Sequence, residues 1–199
     1  MGVTSTSLAP GFLIASPPLG DPNFDRTVVL LAIHGDGGAL GFVVNRTAPL
    51  TLGELLSFAG YGADKAANPS PVLVGGPVQP SSGWILGVDL EVESTSEVIP
   101  VGDRIRITSS RDAFDALARD VQARPAGAAD PKRRIVMLGY SGWAPGQLEG
   151  EVAAGAWLPV PMDEGILFDT KIEERWEKAY ALLGLTPAVG MSMRTVGSA

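Results

Sequence analysis

Within the nine residues from Trp143 to Glu151 the chain places an indole, an amide and two carboxylates: Trp143, Gln147, Glu149 and Glu151, separated by Ala144-Pro145-Gly146, Leu148 and Gly150. These groups suit the recognition of a small polar ligand, and the glycines permit close backbone approach. Asn45, Arg46 and Gly75-Gly76-Pro77 add an amide, a cation and a second glycine turn. Together these residues make a candidate polar pocket, in which Gln147 and Glu149 splay to either side of an inward Leu148. The plainer alternative is that Arg46 pairs with Glu149 and that Trp143 is core. A second candidate surface joins the proline-rich loop, with Asp21, Asn23 and Phe24, to the Trp143 turn, a rigid face on which a protein partner could dock through aromatic and arginine anchors.

Other chemistries find less support. His34 is the single histidine, so a Ser-His-Asp triad would have to use it. It stands beside Asp36 in a glycine-rich turn, where a solvent-exposed imidazole is expected, and no serine lies in a nucleophile-elbow motif. Acid–base work by Asp21, Glu149 or Glu151 depends on pairing distances that the sequence leaves open. With no cysteine and one histidine, a metal would need hard oxygen ligands, and no calcium-loop spacing occurs. Gly35-Asp36-Gly37-Gly38 lacks the lysine and the strand-to-helix setting of a phosphate loop. No catalytic residue, cofactor or metal is therefore assigned, and the reading leans away from an enzyme.

The balance of charge points the same way. A net charge of -7 and a pI near 4.7 oppose nucleic-acid binding, which draws affinity from Lys and Arg on phosphates. The one dense basic run, Lys132-Arg133-Arg134, reads as a solvated loop at a strand entrance. Apolar runs such as Val28 to Ile33 are too short to span a bilayer, and Met1 to Leu8 lacks the basic and apolar regions of a secretory signal. The expected setting is the cytoplasm, without membrane contact.

The elements that must position these groups follow from periodicity. Leu8 to Ala15 reads as a first strand, and Arg26 to Ile33 is a continuous apolar strand, as expected for one buried on both faces. Between them three prolines impose an extended loop, with Phe24 plugging into the core. His34 to Gly38 turns the chain into a second strand, Ala39 to Asn45, through a loop longer than two residues. Thr51 with Glu54, and Thr170 with Glu173, read as capping boxes that open helices. Short strands follow at Pro71 to Val74, Trp84 to Val88 and Ile105 to Ile107. Ser109 or Ser110 caps a helix to about Gln122, with Phe114, Leu117, Ala118 and Val121 along one face. Ile135 to Leu138 is a buried strand, and Gly155 suits the left-handed position after the next helix. No repeat or linker divides the chain, so one domain is expected over 8–185, with flexible ends at 1–7 and 186–199.

The chain resembles the YqgE/AlgH family of bacterial proteins. The resemblance rests on Gly11-Phe12-Leu13-Ile14-Ala15-Ser16-Pro17, Asp21-Pro22-Asn23-Phe24, Thr27-Val28-Val29-Leu30-Leu31, Gly38-Ala39-Leu40-Gly41-Phe42-Val43-Val44-Asn45-Arg46, Gly75-Gly76-Pro77-Val78, Gly139 to Glu151 and Ile166-Leu167-Phe168, in that order. It implies an α+β fold, a single domain with a mixed, mostly antiparallel, partly barrel-like sheet flanked by helices. Where the family often carries a histidine this chain has Gly87, so a proposal resting on that imidazole fails here. The family also carries a transcriptional-regulator label, which implies no DNA-reading element. The reading that results is a binding or regulatory module acting through an unknown protein partner. The alternative is a small-ligand sensor or enzyme using Arg46, Gln147 and Glu149.

Overall fold

The computed structural model describes residues 7–16, 24–62, 68–92, 98–125 and 132–184. Asp21 and Asn23 lie outside these residues, as do the expected loose ends apart from Ser7. The class is α+β, and the sheet is mixed: among the described pairs of known register one is parallel and the others are antiparallel. By their contacts the residues fall into two compact units, 1–46 with 140–199, and 47–139.

The first unit is built on β1 (Gly11–Ala15), β2 (Val28–Gly35), β3 (Gly38–Val43) and β10 (Trp157–Pro161). β10, β1, β2 and β3 pair in that order, all antiparallel, and β3 continues onto the Ser141–Trp143 end of β9 (Arg134–Trp143). The apolar runs of β1 and β2 are buried on both faces, as expected for β2. Leu13, Ala15, Val29 and Leu31 face a core shared with Trp143, Leu148 and Trp157. Alternation puts Phe12, Ile14, Val28 and Leu30 on the opposite face, equally buried. Helix α3 (Gln147–Ala153) packs against β3 and β10, and α5 (Arg175–Ala181) against β1 and β2; α4 (Glu164–Phe168) precedes α5.

The β2–β3 loop is shorter than its glycines suggest: only Asp36 and Gly37 separate paired Gly35 and Gly38. Gly38 holds φ 110°, and a Cβ there would overlap the Trp143 carbonyl oxygen across the β3–β9 pair. The expected capping box at Thr170 is absent. Its hydroxyl donates to the Gly165 carbonyl, and a 3₁₀ turn over Ile172–Glu174 leads into α5 instead.

The second unit contains β4 (Thr47–Thr51), α1 (Leu52–Phe58), β5 (Pro71–Val74), β6 (Val78–Val88), β7 (Val98–Val101), β8 (Ile105–Thr108) and α2 (Arg111–Gln122). β4 pairs with β5, β5 runs parallel to β9, and β8 lies between β6 and β7. Both halves of the Thr51–Glu54 capping box form, and Ser110 caps α2 through the Ala113 N–H. Leu117, Ala118 and Val121 of α2 then meet Leu52, Leu56, Val72, Ile85 and Val136 in one core. Burying a leucine such as Leu117 is worth about 1.5–3 kcal/mol. β6 is longer than its apolar end implies, since exposed Gln79, Pro80 and Ser81 read as a turn. The basic run is also less solvated than expected: the Arg134 side chain is 5% exposed and donates to Asp120.

Gly38→Ala tests the close approach in the first unit, with Gly35→Ala as control because nothing lies within 4 Å of a Cβ there. The expected loss for Gly38→Ala is about 2 kcal/mol or more, against within about 0.5 kcal/mol for Gly35→Ala, read from urea midpoints at unchanged m.

Candidate functional site

The turn between β9 and α3 is local in origin. Gly146 takes φ 75° ahead of the helix, where no side chain caps the first amides. Gln147 supplies part of a cap, since its Oε1 accepts the Ala144 N–H at 3.0 Å. At the far end the helix stops in the expected way, at Ala154 followed by Gly155 with φ 76°.

The polar groups of this turn converge on Glu151. Its Oε2 accepts the indole N–H of Trp143 at 2.9 Å and that of Trp157 at 2.7 Å. Its Oε1 accepts the Gln147 side-chain amide at 2.8 Å. Gln147 and Glu151 stand one helical turn apart and therefore share a face. Both indoles are buried and meet edge to face at 5.9 Å, and half-buried Phe24 sits edge to face on Trp157 at 5.3 Å. Phe24 thus anchors its loop in the core, and Trp143 is core as the plainer reading had it.

Glu149 has a different partner. Its Oε1 lies 3.3 Å from Nε2 of His34, while the Arg46 guanidinium donates to the Asp25 carbonyl at 2.9 Å; the Arg46–Glu149 pair does not form. The exposed imidazole expected at His34 is instead buried, its side chain 2% exposed. Nδ1 accepts the Leu8 backbone N–H at 3.0 Å, which leaves the ring proton on Nε2, a buried nitrogen close to Glu149 but not aligned in a hydrogen bond with it. Asn45 bridges backbone, accepting from Val28 N–H and donating to the Arg26 carbonyl, each at 2.8 Å. Nearby, Arg175 is buried and donates to the carbonyls of Val44 and Thr170, and desolvation lowers its pKa to about 10. Gly75, Gly76 and Pro77 belong to the second unit. There the Gly75 N–H donates to the Leu138 carbonyl at 2.7 Å, and a Cβ on Gly139 would overlap the Gly76 carbonyl. Those glycines permit a close backbone crossing.

Within the first unit, then, Trp143 and Gln147 meet at Glu151, and Glu149 stands beside His34. Glu151 as the hub and Trp157 as its second donor were missed. A signal existed, because a buried tryptophan usually finds an acceptor for its N–H and Glu151 is the carboxylate on the face of Gln147. Among the described residues no three potential ligand side chains cluster for a metal, and no helix is long and apolar enough to cross a membrane.

A family model described as AlgH-like matches residues 12–188. The chain belongs to this family. Its AlgH-like relatives include a UPF0301 protein of Anaeromyxobacter sp. (strain Fw109-5), 45% identical over 192 residues and covering 92% of this chain and 91% of its own. Another, from Xanthomonas campestris pv. campestris (strain B100), is 41% identical over 187 residues, covering 93% and 94%. The solution structure of the AlgH protein from Pseudomonas aeruginosa superposes with TM-score 0.74 at 35% identity, over 100% of this chain and 99% of that one. A crystal structure from Corynebacterium diphtheriae, with TM-score 0.65 at 17% identity and coverage of 96% and 93%, shares the fold. The AlgH-like assignment agrees with the resemblance read from the ordered motifs and places the chain among uncharacterised proteins.

Leaving two buried indole N–H groups without an acceptor carries a desolvation cost. Glu151→Leu, which removes the oxygen that accepts both indoles, should lower stability by about 2 kcal/mol, while Glu149→Leu stays within about 0.5 kcal/mol. Equal urea midpoints for the two variants would remove Glu151 from its central place.

Proposed function

We propose that the chain is a binding module that docks a segment of a protein partner along the β2–β3 hairpin of its first unit. The observation that carries this reading is an open groove of about 310 Å³ at that hairpin. Ile33, Leu40 and Trp143 form its apolar wall, and His34 lies at its side with Nε2 close to Glu149. Ile33 is 46% exposed, a large aliphatic side chain held in water on a strand rather than in a loop. An apolar anchor flanked by a polar pair suits a short peptide segment. The Glu149 carboxylate, 41% exposed, favours a segment that carries a basic or amide group.

The small-ligand or enzyme reading has less support. Gln147 is engaged at both ends of its amide by Ala144 and Glu151, and Arg46 donates to a backbone carbonyl. A DNA-binding role is opposed by the net charge of -7.

A photo-crosslinking residue at Ile33 in the full-length chain, expressed in cells, tests the reading, with the same residue at exposed Lys178 of α5 as control. The expected result is a discrete protein adduct from position 33 that position 178 does not give and that Glu149→Lys diminishes. No adduct at 33, or the same adducts from both positions, would overturn it.

A further inference from the structure

The second unit holds a cavity of about 510 Å³, a volume within the range that small-molecule sites occupy. One side is apolar, made by Ile85 and Val88 at the end of β6, by Leu90 just beyond it, and by Ala113 and Ala116 on α2. The two alanines stand three residues apart on the same helix face, and their small side chains leave open the space that larger residues would fill. Gly87 acts differently, by letting larger lining residues approach the strand. A Cβ there would come within 2.8 Å of Leu90 Cδ2 and 3.1 Å of Arg134 Cγ, so its absence lets these two side chains close over the strand.

The other side is charged. Arg104, Lys132, Arg133 and Arg134 face three carboxylates, Asp89, Glu91 and Asp120, so cations are in excess although the chain as a whole carries a net charge of -7. Asp120 accepts from Lys132 Nζ and Arg134 Nη1, both at 2.8 Å, and Asp89 accepts from Arg104 Nη2 at 2.6 Å. The hydrogen-bonding cations, Lys132 then Arg134 for Asp120 and Arg104 for Asp89, hold both carboxyls below the ordinary 3.8, so both are charged at neutral pH. Asp89 and Arg133 also hold left-handed backbone, at φ 49° and 46°, a conformation uncommon outside glycine and enriched at functional sites.

An apolar wall facing a cation-rich one, with the chain acidic elsewhere, selects a small ligand over a polyanion. We propose that this cavity binds an organic monoanion with an apolar body, such as an acyl or aryl carboxylate. The body lies on Ile85, Leu90 and the α2 alanines, and the carboxylate meets the basic wall at Lys132 and Arg133.

The test is an amide NMR titration of the full-length protein with octanoate, octanol and inorganic phosphate. Octanoate should give saturable shifts at Gly87, Ala113 and Ala116, with a dissociation constant about tenfold or more below that of octanol or phosphate. Ala116→Phe, which fills the cavity, and Arg133→Gln, which removes a cation, should each weaken octanoate about fivefold or more in a protein that keeps its dispersed spectrum. If Ala116→Phe does not fold, Arg133→Gln decides alone. The proposal is overturned if octanoate gives no saturable shift at these amides, if octanol or phosphate binds as tightly, or if the folded variants bind octanoate unchanged.

Discussion

Burying an indole removes its N–H from water, and an acceptor inside the core offsets the cost of about 1–3 kcal/mol that an unpaired N–H carries. The first unit buries two indoles side by side, one at the end of β9 and one at the start of β10. A single carboxylate on α3 receives both, so the helix and the two strands are held at one point. Gln147 completes that carboxylate and also ties back the turn before the helix. Phe24 packs on Trp157, which brings the segment before β2 into the same cluster. The turn, the start of β10 and Phe24 thus meet at one cluster around these two indoles.

This explains why a stretch dense in chemically capable residues need not be a reaction centre. An amide, an indole and a carboxylate next to a tight turn can also satisfy one another and fix the turn, as they do here. Once Trp143, Gln147 and Glu151 bond to one another, what remains for contact with other molecules is peripheral. In the first unit that is the exposed Ile33 edge with the His34–Glu149 pair; in the second it is the basic, half-apolar cavity. The first is the surface proposed for a peptide segment and the second the cavity proposed for a small anion.

Much of the scaffold was legible in the residues. β2 declared the two-sided burial of Val28 to Leu31 by its apolar run, and α2 its face and its start by spacing and by Ser110. The Thr51–Glu54 box formed because a short-range pattern has a short-range outcome. The same pattern at Thr170 failed when a carbonyl five residues back competed for the hydroxyl. The site was less legible. Choosing between Glu149 and Glu151 depends on which residue begins α3. With Gln147 first, Glu151 returns to its face, whereas Glu149 turns about 200° away. The burial of His34 depends on a backbone N–H at Leu8, 26 residues distant, which no local pattern encodes.

The most direct measurement of the central claim is native-state hydrogen exchange at the indole N–H groups of Trp143 and Trp157. If Glu151 clamps both, they should exchange only through global unfolding, with the same free energy as the slowest amides of β1 and β2. Exchange of either indole by local opening, at a free energy well below that of those amides, would contradict the account. It would mean that the two tryptophans are held by packing alone and that Glu151 is free to serve another purpose.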